Sequence, residues 1–135
     1  MFTTNEKKAI VFAMNAMVNA DGYKHPNEKN LYNVIYQSLN IDSREASSIM
    51  AYMLDASNPL LGNSAFEEHI DVIRGMNIDK KKDLISILTT LAAIDGNIDN
   101  NENQLLTHYR IVCNLPYTEY STTDAVKNAT KFIIK

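Results

Sequence analysis

The sequence predicts an all-α fold, a compact bundle of six or seven helices, and three observations carry that prediction. Only 4 Gly and 3 Pro occur in 135 residues, too few turn positions for the hairpins of an all-β sandwich or barrel. Apolar residues recur at helical spacing, as in Leu84, Leu88 and Leu91, where i, i+4 and i+7 lie on one helix face. The chain also repeats itself at an offset of 74 residues without a gap, pairing Asp21 with Asp95, Gly22 with Gly96, Glu28 with Glu102 and Asn40 with Asn114. Apolar residues pair in the same register, including Ile10 with Leu84, Met14 with Leu88, Leu31 with Leu105 and Leu39 with Cys113. Each copy parses as helix, short loop, helix.

Taken in order, the first helix covers about residues 4–21, with Thr3 and Glu6 spaced as an N-cap and its capping-box partner. The second, about 26–39, has Pro26 in the first helical position, Glu28 two residues on, and a stripe of Leu31, Val34, Ile35 and Leu39. Asp42 and Glu45 open a third at about 43–56, whose Met50 and Met53, like Met14 and Met17, are expected to be mostly core. Ser64 and Glu67 open a fourth at about 64–75, where His69 is expected on a solvated face because Glu67, Glu68 and Asp71 surround it. The fifth, about 79–95, begins with Lys80, Lys81 and Lys82, a run expected to be solvated and neutralised by Asp79 and Asp83. Gly96 supplies the stop for that helix. The sixth, about 100–113, carries Leu105, His108, Tyr109, Val112 and Cys113 on one stripe, so His108 is read as a core histidine and Cys113 as a buried small hydrophobe. A seventh, about 121–134, is signalled by Ser121 and Asp124. The Ser57–Asn63 segment, with Pro59 and Gly62, is the natural hinge, but the duplication argues for one interleaved domain over residues 1–135.

Composition bounds the function. Lys and Arg number 13 against 16 Asp and Glu, a net charge of -3 that leaves no basic footprint for nucleic acid. A single cysteine, Cys113, excludes an internal disulfide framework and suits a reducing compartment. The N-terminal segment has no signal-peptide pattern, and no apolar run approaches the ~20 residues that span a bilayer. The expected location is cytoplasmic, without insertion into a membrane.

The two Asp-Gly loops hold the candidate site. An aspartate at a helix C-terminus faces the negative end of the helix dipole, which is disfavoured by roughly 0.3–1 kcal/mol at an exposed site, so something must offset Asp21 and Asp95. One offset is structural: the carboxylates cap the next helix. The other is a divalent cation, Ca²⁺ or similar, because Asp95, Asn97, Asp99, Asn101 and Glu102 crowd five oxygen-bearing side chains into eight residues. The pattern is not an EF-hand, since Asn100 stands where that loop needs Gly and Leu106 where it needs the bidentate Glu. The candidate metal-binding residues are therefore Asp95, Asn97, Asp99 and Glu102, with Asp21 and Glu28 in the first copy, where Lys24 and His25 make the loop poorer in carboxylates.

The paired Ala/Ile-Asp-Gly-x₅-Glu signature at 20–28 and 94–102, each followed by an apolar residue three on (Leu31, Leu105), resembles the tellurite-resistance TerB family and its wider TerB-like group, which includes a domain of a membrane-anchored DnaJ-like co-chaperone. The resemblance spans about residues 5–120 and rests on two short motifs and their spacing. It implies an all-helical bundle with acidic clusters proposed to bind divalent metal, and a role in stress or envelope-associated complexes. Asp21, Glu28, Asp95 and Glu102 are the matched positions, while Ile94 departs from the family's Ala and Lys24 and His25 depart in the first loop. The expected function is a non-enzymatic interaction module of a tellurite-resistance or stress system, with other proteins as partners, membrane-associated complexes among them. The competing expectations are a purely structural domain whose loops only cap helices, and a carboxylate-based hydrolase if Asp21 and Asp95 converge in a pocket.

Overall fold

Local signals fix where the helices start and stop. The computed structural model describes residues 2–19, 26–57, 62–93 and 100–115. Among them are six helices and no strand: α1 (Thr4–Val18), α2 (Pro26–Ser38), α3 (Ser43–Ser57), α4 (Gly62–Arg74), α5 (Ile78–Ala93) and α6 (Asn100–Cys113). The seventh expected helix, at 121–134, and the centre of the expected hinge, at 58–61, lie outside the described residues.

Thr3 caps α1 in a complete capping box, its hydroxyl accepting the Glu6 N–H at 3.2 Å while Glu6 Oε1 accepts the Thr3 N–H at 2.8 Å. Asp42 and Glu45 close the same box on α3. The Ser64 signal does not start α4, which already begins at Gly62 and so has Ser64 inside its first turn. At α5 the Asn77 side chain accepts the Lys80 N–H at 2.9 Å, so the helix begins at Ile78 on an asparagine cap.

Central to the packing are α1 and α5, the corresponding helices of the two copies, which lie against each other. Around them, α1 also meets α2, α3 and α4, α5 meets α2 and α6, α3 packs on α4, and α4 on α6. Ile10, Met14 and Met17 on α1 and their mates Leu84, Leu88 and Leu91 on α5 are all at most 1% exposed. Every residue from Leu84 to Ala92 is buried, and the hydroxyls of Thr89 and Thr90 bond to the carbonyls of Ile85 and Ser86 one turn back.

The duplication is visible in the backbone. Asn40 and Asn114, 74 residues apart, are the only non-glycine residues with positive φ among those described, at 54° and 55°. Each follows the end of its helix in the left-handed conformation, which asparagine tolerates better than other side chains.

Ion pairs then tie helices together, and one of them joins the two copies. Lys7 Nζ lies 2.9 Å from Glu45 Oε1 and 3.1 Å from the Asn40 carbonyl, joining α1 to the end of α2 and the start of α3. Lys80 Nζ reaches Glu6 Oε1 at 2.7 Å and sits 5.9 Å from the centre of the Phe2 ring. Lys80 is thus anchored by α1, where the sequence suggested a solvated run neutralised by its neighbours. The methionines divide too: Met14 and Met17 are core, Met53 is half-buried, and Met50 is 70% exposed.

Candidate functional site

The acidic loop between α5 and α6 is framed by what is described on either side. Asp21, Asp95, Asn97 and Asp99 lie outside the described residues, as does the side chain of Glu28. The backbone nevertheless places Glu28 and Glu102 identically, each as the third residue of its helix, α2 or α6. That is the position Glu6 and Glu45 occupy in α1 and α3. Glu102 is only 2% exposed. A carboxylate so far out of water needs compensating positive charge or donors, and the free N–H groups and dipole of the α6 N-terminus supply part of it. Among the described residues no three His, Cys, Asp or Glu side chains converge as a metal group.

A second polar centre lies between α4 and α6, and the sequence reading missed it. His69, expected on a solvated face, is 1% exposed. Its Nε2 lies 2.9 Å from Tyr109 Oη on α6, and its Nδ1 contacts the Phe66 carbonyl one turn back. The imidazole lies over the Phe12 ring of α1, with centroids 4.1 Å apart, and meets Phe66 edge-on. The signal was present: Phe66, His69, Ile70 and Ile73 follow i, i+3, i+4, i+7 spacing, which marks position 69 as inward despite its acidic neighbours.

Burial, with smaller contributions from Tyr52 and Cys113, pushes the Tyr109 phenol well above its ordinary range. Burial also lifts Tyr52 to about 12, helped by the charge of Glu68. Cys113 is buried as expected, and burial raises its thiol to about 11 against the opposing pull of Lys81, so it is a poor nucleophile. His108 reverses its expectation: it is exposed, with its ring stacked on Phe66 at 6.0 Å. Its repeat mate Val34 is likewise exposed, at 38%, so the duplication holds at this position while the core assignment fails.

An open groove of about 520 Å³ is lined by Ala16 of α1 and by Asn101, Gln104, Leu105 and His108 of α6. None of these described residues carries a carboxylate, and Asp21 and Asp95, which the hydrolase expectation requires, lie outside the described residues.

No family model matches this chain, and no curated protein matches it. Among solved structures, it is similar to the crystal structure of a protein of unknown function from Porphyromonas gingivalis W83. The two are 25% identical with a TM-score of 0.71, and the match covers 97% of this chain and 98% of the other. The likeness agrees with the all-helical fold of the described residues and carries no activity with it.

Proposed function

We propose that this protein is a non-enzymatic helical module of the TerB-like kind, working in a stress or tellurite-resistance system by binding other proteins, membrane-associated complexes among them. In this reading the loop between α5 and α6 holds a divalent cation, Ca²⁺ or similar, that tunes the interaction. The observation that carries the reading is Glu102, buried in the first turn of α6 directly after Asp95, Asn97 and Asp99. A hard cation bound by oxygen ligands is one way to compensate a carboxylate placed there. Met50 and Leu54, at i and i+4 on the outer side of α3 and 70% and 71% exposed, support the interaction role as a contact surface in solvent.

The test is an amide-shift titration of the whole chain with Ca²⁺ and Mg²⁺. Shifts confined to residues 95–102, and lost in Glu102→Gln, are expected; no change at millimolar cation overturns the metal component. Met50→Ser combined with Leu54→Ser should leave the thermal midpoint unchanged and weaken partner binding.

A second reading is that the loops only cap helices. It is favoured by Glu6 and Glu45, which close capping boxes from the helix position that Glu28 and Glu102 share. Under it, Glu102→Gln lowers stability equally with and without added cation.

A further inference from the structure

Of the two described histidines, His108 is exposed to solvent, while His69 is sealed between α1, α4 and α6 with both ring nitrogens engaged. The partners decide its protonation state. The Phe66 carbonyl can only accept, so Nδ1 carries the proton. In the neutral ring Nε2 is then the acceptor, and the Tyr109 hydroxyl must donate to it. Because burial keeps the Tyr109 phenol protonated, that donor is always present. A neutral Nδ1–H imidazole is therefore the form that fits both of these contacts at once.

We infer that His69 is an acid-triggered latch whose neutral ring fastens α4 to α6 through Tyr109, and whose protonation releases that seam. A proton on Nε2 removes the lone pair into which Tyr109 donates. The phenol oxygen can then accept from Nε2–H, but its own O–H must leave the ring nitrogen for another acceptor, and the buried imidazolium must give up its hydration.

The groups facing the ring do not reverse this balance. From α1, Lys8 and Asn5 line the small cleft that leads to His69, and the Lys8 ammonium opposes another positive charge. From α4, the Glu68 carboxylate in the same cleft favours one, but it is exposed and screened. From α3 comes Tyr52, and from α6 Tyr109 and, behind it, His108, none of which contributes a negative charge at neutral pH. The Phe12 face offers a cation–π contact, smaller than the hydration lost on charging a buried ring. The cleft has a volume of about 10 Å³, room for about one water, so solvent cannot rehydrate the cation unless the helices part.

The released form binds a proton that the latched form excludes. The sign follows: the ratio of released to latched protein rises as pH falls, by up to tenfold per pH unit below about 6.5, the ordinary histidine value.

The experiment is a titration of the full chain, ¹⁵N-labelled at histidine and at the backbone, from pH 8 to pH 4.5. Imidazole ¹⁵N shifts report tautomer and charge at His69, and amide shifts report α4 and α6. The expected result is the Nδ1–H tautomer at neutral pH, with imidazolium at His69 appearing only in step with loss of the native α4 and α6 amide signals. An Nε2–H tautomer, or protonation of His69 while those amides stay in place, overturns the latch. His69→Gln retains an acceptor for Tyr109 but cannot be charged, so it should abolish the transition above pH 5, whereas His108→Asn should leave it intact. If His69→Gln does not fold, the titration of the native chain still decides.

Discussion

The two copies of the duplicated helix pair share their backbone and differ in what they do with one position. In the first copy Ile35 of α2 fills the core with hydrocarbon, at 0% exposure. In the second the same position is Tyr109 of α6, equally buried, whose hydroxyl reaches His69 on α4. Charges join α1 of the first pair to α3 and to α5 of the second, Lys7 to Glu45 and Glu6 to Lys80, whereas the buried hydrogen bond belongs to the second pair alone and joins it to α4. Duplication thus preserves the frame, the stripe and the left-handed asparagine, and leaves the polar ties free to diverge.

Truncating the shared stripe is the most severe way to break that comparison. Met14→Ala and Leu88→Ala remove mates that are both 0% exposed, and each should cost about 3 kcal/mol in urea unfolding. A cost below about 1 kcal/mol at either would mean that the two central helices are not equivalent. Tyr109→Phe keeps the ring and removes only the donor, and a loss of about 1.5 kcal/mol is expected from the buried hydrogen bond. Ile35 has no hydroxyl to lose, so the asymmetry between the copies is measured directly by that variant.

The ionic side of the comparison is read by pH. Hydrogen bonds from the Thr4 hydroxyl, the Lys7 ammonium and the Asp42 N–H hold the Glu45 carboxyl at about 2, against an ordinary value of 4.5. A carboxyl lowered in this way stabilises the fold fully above about pH 4.5, and its contribution is lost as pH falls towards 2. Glu45→Gln should flatten the stability profile across that window, below the range in which His69 acts. The smallest effects come from the helix ends: Asn40→Ala and Asn114→Ala should each cost about 1 kcal/mol, because alanine is strained at positive φ. Unequal losses would show that the two turns are less alike than their angles.

Three helix starts were legible in the sequence because they are set locally, by the Thr3–Glu6 and Asp42–Glu45 boxes and by Pro26. The position of Glu102 was legible for the same reason, being counted from the start of α6. The inward face of His69 was legible in its helical spacing though masked by acidic neighbours, whereas its hydroxyl partner was not, because it lies 40 residues further along the chain. Met50 and Lys80 failed similarly, since helical spacing names a face without saying which helix, if any, will cover it, and the partner of Lys80 sits 74 residues away on α1.

Glu6 and Glu45 each perform two tasks with one carboxylate. Glu6 Oε1 receives both the Thr3 amide that opens α1 and the Lys80 ammonium from α5, and Glu45 receives both the Asp42 amide and Lys7. Starting a helix and docking it against its neighbour are therefore not separable events at these two ends. Fraying the first turn of α1 or α3 also surrenders an interhelix ion pair, so the opening that would expose these amides to exchange with solvent draws in the bundle as a whole.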